Sequence, residues 1–270
     1  RDVLGSRGLG DVYKRQILNH LFNDGKVSDV EIAQIAQAAE NKFFGKPCGL
    51  LDQMTSSVGS FVEIDFADPA KPVIEKLDFD FASCGYALCI VDTGGSHSDL
   101  TDEYAAVRKE MESVAEYLGK SVLREVDEDE FMKNIADIRS SCGDRAVLRA
   151  MHFYGDNARV EKQAAALKAG DFETFKKYII ESGRSSYMYN QNVYSCKKTS
   201  EQPVSLALSL SEKLLDGCGA WRVHGGGFAG TIQAFVPLNK LDEYKDLMEK
   251  VFGSGSCYIL SVRPVGGVEL

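Results

Sequence analysis

The amino-acid sequence predicts an α+β fold with two layers, in which a first domain gives way to a second near residue 83. The chain has 270 residues, of which 44% are hydrophobic and 26% are charged, so it is long enough for one large domain or two smaller ones. Segments with the alternation of β-strands are interspersed among segments with helical spacing. Residues 127–217 are mostly helical in pattern, whereas residues 219–236 return to strand character around a cluster of glycines.

Charge and cysteine content restrict the partners and the compartment that we expect. The formal net charge is −9 and the sequence pI is about 5.1, without a basic run, so we expect neither nucleic acid nor an anionic membrane as a partner. An acidic protein still binds ATP when backbone N–H groups and a metal ion hold the phosphates. The seven cysteines include no C-x-x-C pair, and no apolar run has transmembrane length. We therefore expect free thiols and a cytoplasmic protein.

The first sixteen residues are expected to be foreign to the fold. Residues 1–16 show no helical or strand period, and they contain three glycines. Residues 11–16, Asp-Val-Tyr-Lys-Arg-Gln, resemble the translation of a transposase adapter used to prepare sequencing libraries. We therefore predict that residues 1–16 are a non-native segment joined at Ile17 to a gene product whose own beginning lies upstream. The alternative is a genuine disordered tail.

The first domain is predicted to span residues 17–82 and to contain three helices and a hairpin. Ser28 and Glu31 form a capping box, which marks the start of the second helix. The apolar residues that follow repeat at helical spacing. The predicted elements are a helix that ends near residue 22, a helix from residue 28 to Gly45, a helix that starts near Asp52, and two paired strands at residues 60–65 and 72–77.

The second domain is predicted to span residues 83–270 and to alternate strands with helices. Its first strand is a buried apolar run, and its glycine cluster is flanked by strand patterns. The predicted strands are 85–92, two within 219–236, and 257–262, and the predicted helices are 100–118, 130–138, 146–169, 172–182, 200–215 and 241–252.

Two acidic residues at the ends of neighbouring helices form the first candidate site. Glu40 lies at the end of one predicted helix, and Asp52 lies near the start of the next, after a turn set by Pro47 and Gly49. A helix N-terminus favours the ionised carboxylate, which is the form that accepts a proton. Two such acids can share phosphoryl transfer to an alcohol, one binding a cation and the other taking the hydroxyl proton. The alternative is a plain helix N-terminal acid and a solvated glutamate.

Three further segments have polar, aromatic or glycine-rich patterns. His97 and Tyr104 flank the start of a predicted helix; we expect a turn or N-cap role for His97, and packing on the helix is the alternative to ligand contact for Tyr104. Residues 225–230 match G-x-G-x-x-G, but a strand follows instead of a helix, so no dinucleotide-binding loop is predicted. Glycines between strands let a backbone or a ligand approach closely. For residues 187–194, a loop packed on the core is favoured over the lining of a sugar cleft.

The run from Glu40 to Gln53 resembles the galactokinase signature of the GHMP small-molecule kinase family, and the resemblance extends over residues 17–270. It implies the family's two-domain fold, with a partial amino-terminal domain of the ribosomal protein S5 domain 2-like type and a complete ferredoxin-like carboxy-terminal domain. It also implies ATP-dependent phosphorylation of galactose at the C1 hydroxyl, with ATP and Mg²⁺ as cofactors. The implied roles are Mg²⁺ ligation by Glu40, proton abstraction or hydroxyl orientation by Asp52, a backbone contact to the sugar by Gly49, a hydrogen bond to the sugar by Tyr104, and a third motif near the active site at Gly225, Gly226, Gly227 and Gly230.

The resemblance also sets what we expect of partners and of activity. Galactose and ATP are the expected partners of a monomer. Two family motifs, an amino-terminal Gly-Arg…Gly-Glu-His…Asp stretch and a Gly-Leu-Ser-Ser-Ser phosphate loop, do not occur in these residues. We therefore expect the parent protein to be active, and these 270 residues alone to be inactive and poorly soluble. The alternatives are a silent sensor of sugar and ATP with the same fold, or another GHMP kinase acting on mevalonate, homoserine or N-acetylgalactosamine.

Overall fold

A computed structural model of the chain has mixed helices and sheets, as predicted, and divides into two compact units. The first unit comprises Arg1–Phe79 together with Val262–Leu270, and the second comprises Asp80–Ser261. The division lies close to the predicted domain boundary after residue 82, but the last residues of the chain return to the first unit. The structure describes residues 7–43, 48–68, 70–77, 79, 80, 82–95 and 100–267.

Three helices build most of the first unit, namely α1 (Arg7–Asn23), α2 (Asp29–Ala38) and α3 (Leu51–Val58). The predicted capping box begins α2. Ser28 accepts a hydrogen bond from the backbone N–H of Glu31, and the Glu31 carboxylate accepts one from the backbone N–H of Ser28. These bonds satisfy N–H groups that would otherwise lack partners at the helix start, and they lower the pKa of the Glu31 carboxyl.

The expectation that residues 1–16 lie outside the fold is wrong for residues 7–16, which form the first half of α1. Val12 is fully buried and packs on α2. Gln16, four residues later and on the same helix face, donates a hydrogen bond from Nε2 to the backbone carbonyl of Ser57 in α3 at 3.2 Å. Val12 and Gln16 thus define the inward face of α1. The glycines around them interrupt the helical spacing of apolar residues, so the sequence pattern does not show this helix. The resemblance of this segment to an adapter sequence stays a hypothesis.

The predicted hairpin is confirmed as two antiparallel strands, β1 (Phe61–Asp65) and β2 (Val73–Leu77). The pairing runs from Phe61 opposite Leu77 to Asp65 opposite Val73. Apolar side chains of the hairpin pack on α2 and α3, which gives this unit a small core of its own. The core includes Ala33, Leu50, Met54, Val58, Val62, Ile64 and Ile74.

The carboxy-terminal return in the first unit requires one particular glycine. The backbone N–H of Ser60 donates to the carbonyl of Arg263 at 2.8 Å. Gly59, directly before it, has φ 72°. A Cβ at this position would lie 2.1 Å from the backbone carbon of Val265. Only glycine allows both the positive φ and this close approach of two backbones.

The second unit is built on a four-stranded antiparallel sheet. Its strands are β3 (Tyr86–Asp92), β4 (Ala220–His224), β5 (Thr231–Pro237) and β6 (Cys257–Leu260), in the spatial order β4-β5-β3-β6. All four strands match predicted ones. The fully buried core against this sheet includes Cys89, Val91, Val204, Ala207, Leu215, Ile232, Ala234, Val236, Tyr244 and Met248.

The described residues of this unit also form seven α-helices, and one predicted helix is wrong. The segment predicted as one helix, 130–138, forms two, because Asn134 interrupts it with φ −102° and ψ 9° and donates from its side chain to the carbonyl of Glu130 at 2.8 Å. No helix of the described residues combines the length and apolar character needed to cross a membrane. The helices are α4 (Thr101–Tyr117), α5 (Glu128–Lys133), α6 (Ile135–Cys142), α7 (Asp144–Lys168), α8 (Phe172–Ser185), α9 (Pro203–Leu215) and α10 (Leu241–Phe252).

Gly183 controls how closely α8 approaches β4, and its replacement tests this packing. A Cβ on Gly183 would lie 2.9 Å from Cβ of Arg222 and 3.1 Å from the carbonyl oxygen of Trp221. We expect Gly183→Ala to lower the free energy of unfolding by about 1–3 kcal/mol through overpacking, despite the better helix propensity of alanine. The measurement is urea unfolding followed by the fluorescence of the single tryptophan.

The matched control is Gly155→Ala, in the interior of α7. A Cβ on Gly155 would meet only the flexible guanidinium end of Arg159, at 3.2 Å. We expect this change to be neutral or to stabilise by up to about 1 kcal/mol. Equal unfolding free energies for the two variants would show that the α8–β4 contact is not tight.

Candidate active site

In the sequence, one predicted carboxylate follows the end of α2 and the other lies at the start of α3. Glu40 belongs to a π-helical turn, Ala39–Phe43, that continues α2. Asp52 lies in the first turn of α3, as predicted. The Glu40 side chain is buried, at 7% exposure, whereas Asp52 is exposed. Single π-helical turns are frequent at functional sites because they redirect side chains.

Asn41, the residue after Glu40, links these two chain segments. Its side-chain oxygen accepts a hydrogen bond from the backbone N–H of Cys48 at 2.8 Å, and its Nδ2 donates to the carbonyl of Cys48 at 3.3 Å. Gln37 donates to the same carbonyl at 3.1 Å, and Gln53 donates to Sγ of Cys48 at 3.5 Å. We call this set of bonds the Cys48 clasp. It fixes the backbone of Cys48 relative to the turn that carries Glu40 and to the helix that carries Asp52.

The environment of Glu40 suits a cation ligand. Among the described residues, no hydrogen-bond donor or cation contacts its carboxylate. Neither Glu40 carboxylate oxygen is among the fully buried polar atoms that lack a partner, so both oxygens keep access to solvent or a ligand. A carboxylate in that position can take a metal ion as its partner. No group of three or more His, Cys, Asp or Glu side chains suited to a metal occurs in the described part of the chain, so a metal here would take its other ligands elsewhere.

The environment of Asp52 suits a proton acceptor. Leu50, the residue before α3, makes no side-chain cap, so the first N–H groups of the helix keep their positive end uncovered. Asp52 lies in the first turn of the helix, beside that end. Gly49 is exposed, and a Cβ there would meet no atom within 4 Å. The backbone before Asp52 is therefore open to a ligand.

The glycine cluster in the second unit forms the turn between β4 and β5. It joins antiparallel strands, paired from His224 opposite Thr231, which confirms that it is not the dinucleotide-binding type of loop. Positive φ angles of 71°, 81° and 98° occur at Gly225, Gly227 and Gly230. Glycine adopts these angles without strain. We call residues 225–230 the glycine turn.

Tyr104, on α4, lies directly on the glycine turn. Its hydroxyl donates to the carbonyl of Gly227 at 2.8 Å, and its ring packs edge-on against Phe228 with 5.3 Å between the ring centroids. A Cβ on Gly226 would lie 2.8 Å from the Tyr104 ring, so glycine lets the ring sit flush on the backbone. Burial raises the pKa of Tyr104, which keeps the hydroxyl protonated as a donor at neutral pH.

The predicted site residues therefore divide between the two units. Glu40, Gly49 and Asp52 belong to the first, whereas Tyr104 and the glycine turn belong to the second. His97 lies outside the described residues. Residues 187–194, predicted as a loop, begin within a π-helical turn, Ser186–Asn190.

Two residues that were not predicted as site residues, Asn41 and Asn192, form hydrogen bonds with the backbone of these segments. Asn41 makes the Cys48 clasp, and Asn192 contacts the glycine turn. Both are asparagines within segments that the sequence singled out as candidates. Apart from that position, nothing in the sequence indicated their hydrogen bonds. Their partners are distant backbone groups, seven and thirty-four residues away, which no local pattern reveals.

Similarity to curated proteins points to one kind of enzyme. No protein-family model matches the chain. It is 31% identical to galactokinase from Homo sapiens over 238 residues, covering 88% of this chain and 57% of the relative. It is 28% identical to galactokinase from Actinobacillus pleuropneumoniae over 228 residues, covering 84% of this chain and 56% of the relative. The chain spans just over half the length of these curated relatives.

Solved structures share the fold. Galactokinase from Lactococcus lactis, complexed with galactose, matches with a TM-score of 0.70 and 22% identity over 94% of this chain and 64% of its own. L. major mevalonate kinase, in complex with R-mevalonate, matches with a TM-score of 0.58 and 13% identity over 96% of this chain and 66% of its own. At these identities the likeness establishes the fold alone, and that fold agrees with the predicted mixture of helices and sheets.

The Cys48 clasp predicts a local change on replacement of Asn41. We expect Asn41→Ala to speed hydrogen exchange at the Cys48 amide at least about tenfold, because two hydrogen bonds to that backbone are lost. The measurement is amide exchange by NMR spectroscopy. The control is Asn157→Ala, an exposed asparagine on α7 with no hydrogen bond to the described residues. An unchanged Cys48 exchange rate in Asn41→Ala would mean that the clasp does not hold this backbone.

Proposed function

The chain is a homologue of the galactokinases, and from this relationship we propose that the protein containing it transfers the γ-phosphoryl group of ATP to the C1 hydroxyl of galactose. The products are galactose 1-phosphate and ADP. The observation that carries the proposal is the pair of carboxylates on either side of the Cys48 clasp, one buried without a partner and the other exposed at a helix start. Phosphoryl transfer depends on such positioning and on charge neutralisation.

Asp52 acts as the proton acceptor in this proposal. The C1 hydroxyl oxygen of the sugar attacks the γ-phosphorus, its proton passes to the Asp52 carboxylate, and the bond from the γ-phosphorus to the bridging oxygen of ADP breaks. Exposure leaves Asp52 accessible to a substrate at the start of α3. The exposed backbone of Gly49 contacts the sugar nearby.

Glu40 is the residue that would hold Mg²⁺. When bound, the ion neutralises charge on the phosphoryl oxygens. Mg²⁺ commonly takes one or two carboxylates from the protein and completes its shell with phosphate oxygens and water. Glu40 fits that pattern, because its carboxylate has no partner among the described residues and is available to a cation.

Tyr104 and the glycine turn serve the sugar in this proposal. The Tyr104 hydroxyl, held at the glycine turn by its bond to the Gly227 carbonyl, forms a hydrogen bond with a sugar hydroxyl in this proposal. The hydroxyl groups of galactose are suited to this role. The monomeric state, the cytoplasmic location and the inactivity of these 270 residues alone stay predictions.

Removal of the proton acceptor tests the proposed chemistry. In the intact protein we expect Asp52→Asn to lower kcat for galactose by about 10²- to 10⁴-fold, with a smaller change in KM, because the amide cannot take the hydroxyl proton. A coupled assay of ADP release measures both constants.

The matched control is Asp24→Asn, an exposed aspartate in the same unit whose backbone has φ 52°, a conformation that asparagine also adopts readily. We expect it to leave both constants unchanged. Full activity of Asp52→Asn would remove Asp52 from the mechanism. Absence of galactose-dependent turnover in the unaltered intact protein would overturn the proposed function.

A further inference from the structure

Asn192 lies beneath the glycine turn, on a segment with an unusual backbone. The π-helical turn Ser186–Asn190 ends at Gln191, which has φ 54° and donates its N–H to the carbonyl of Ser186 at 2.8 Å. This left-handed residue reverses the chain direction after the helical turn. It thereby brings Asn192, which is 5% exposed, against the glycine turn.

Asn192 contacts the glycine turn through both its backbone and its side chain. Its carbonyl accepts a hydrogen bond from the N–H of Phe228 at 2.5 Å, and its Nδ2 donates to the carbonyl of Gly226 at 3.2 Å. A Cβ on Gly227 would lie 1.8 Å from the Asn192 carbonyl oxygen. These contacts fix the peptide groups on both sides of Gly227.

Tyr104 contacts the same peptide groups from another direction. Its hydroxyl bonds to the carbonyl of Gly227, which is the residue between the two that Asn192 holds. The direction of the Gly227 carbonyl sets the direction in which the Tyr104 O–H points, and hence where its lone pairs lie. A shift of the turn would rotate this hydroxyl.

A buried ion pair supports the segment that carries Asn192. Arg149, on α7, is fully buried; its Nε donates to the carbonyl of residue 190 at 3.0 Å, and its Nη1 donates to the carboxylate of Glu110 at 2.9 Å. Glu110 lies on α4, the same helix as Tyr104. The contacts therefore form a closed path from α4 through Arg149 and Asn192 to the glycine turn and back to α4. A closed path of this kind resists displacement at any one point.

We propose that Asn192 is a positioning residue that, through the glycine turn, orients the Tyr104 hydroxyl toward the sugar. The proposal rests on the proposed function, in which Tyr104 contacts galactose. Asn192 itself touches neither substrate nor reacting atoms in this account. Its amide Nδ2 is the group that matters, because it donates the hydrogen bond to the Gly226 carbonyl. Loss of that donor loosens the glycine turn. The Tyr104 hydroxyl is then less well oriented, and its hydrogen bond to the sugar hydroxyl is weaker.

The first experiment measures coupling between Asn192 and Tyr104 in this chain. Amide exchange of Phe228 is compared in Asn192→Ala, Tyr104→Phe and the double variant. Each single change is expected to speed exchange about tenfold, and the double variant to be no faster than the faster single variant, because both side chains hold the same turn. Rates that multiply in the double variant would mean that the two residues act independently, which overturns the proposal.

The second experiment measures sugar recognition in the intact protein. Asn192→Ala and the isosteric Asn192→Asp, which lacks the Nδ2 donor, are each expected to raise KM for galactose about tenfold while KM for ATP stays unchanged. The control is Asn190→Ala, which is similarly buried and keeps its backbone carbonyl, and whose side-chain oxygen has no partner among the described residues. Asn192→Ala and Asn190→Ala with the same KM would overturn the proposal.

The two proposals fail in different ways. If the unaltered intact protein shows no galactose-dependent turnover, the proposed function is wrong, and the role of Asn192 toward the sugar is wrong with it. If turnover is normal but exchange at Phe228 shows no coupling, only the role of Asn192 is wrong.

Discussion

The Cys48 clasp is the interaction on which the candidate active site depends. The two acids lie on opposite sides of Cys48 in the sequence. Asn41 bonds to the backbone of Cys48 through both its amide oxygen and its amide nitrogen. Gln37 and Gln53 add one contact from each flanking helix. The polar side chains around the acids therefore hold the backbone, which leaves the acids themselves free for chemistry.

In the second unit, too, side chains from other parts of the chain bond to the backbone of a turn. The glycine turn has positive φ angles and almost no side chains, so it cannot hold its own shape. Tyr104 and Asn192 supply that shape by bonding to its carbonyls, and glycine is required where their atoms approach most closely. In both units, backbone groups near the candidate site residues are bonded to a few side chains from other parts of the chain. Small losses of hydrogen bonding at these points should alter substrate positioning before they unfold the protein.

The sequence was sufficient for most of the fold and for the identity of the acids, but not for what holds them. Strands such as β1 and β3 and the capping box at Ser28 were predictable because their signals are local. The inward face of α1 was not, since Val12 and Gln16 alone define it among glycines and charged residues. The break at Asn134 depends on a single side-chain bond within an otherwise helical pattern. Asn192 was not identifiable because its partners lie thirty-four or more residues away.

The most direct test of the account is a crystal structure of the intact protein with galactose, Mg²⁺ and a non-hydrolysable analogue of ATP. The account predicts a carboxylate oxygen of Asp52 about 2.7 Å from the C1 hydroxyl oxygen, and a carboxylate oxygen of Glu40 about 2.1 Å from the metal ion. Galactose bound with its C1 hydroxyl out of reach of Asp52, and a metal ion without Glu40 in its shell, would contradict it.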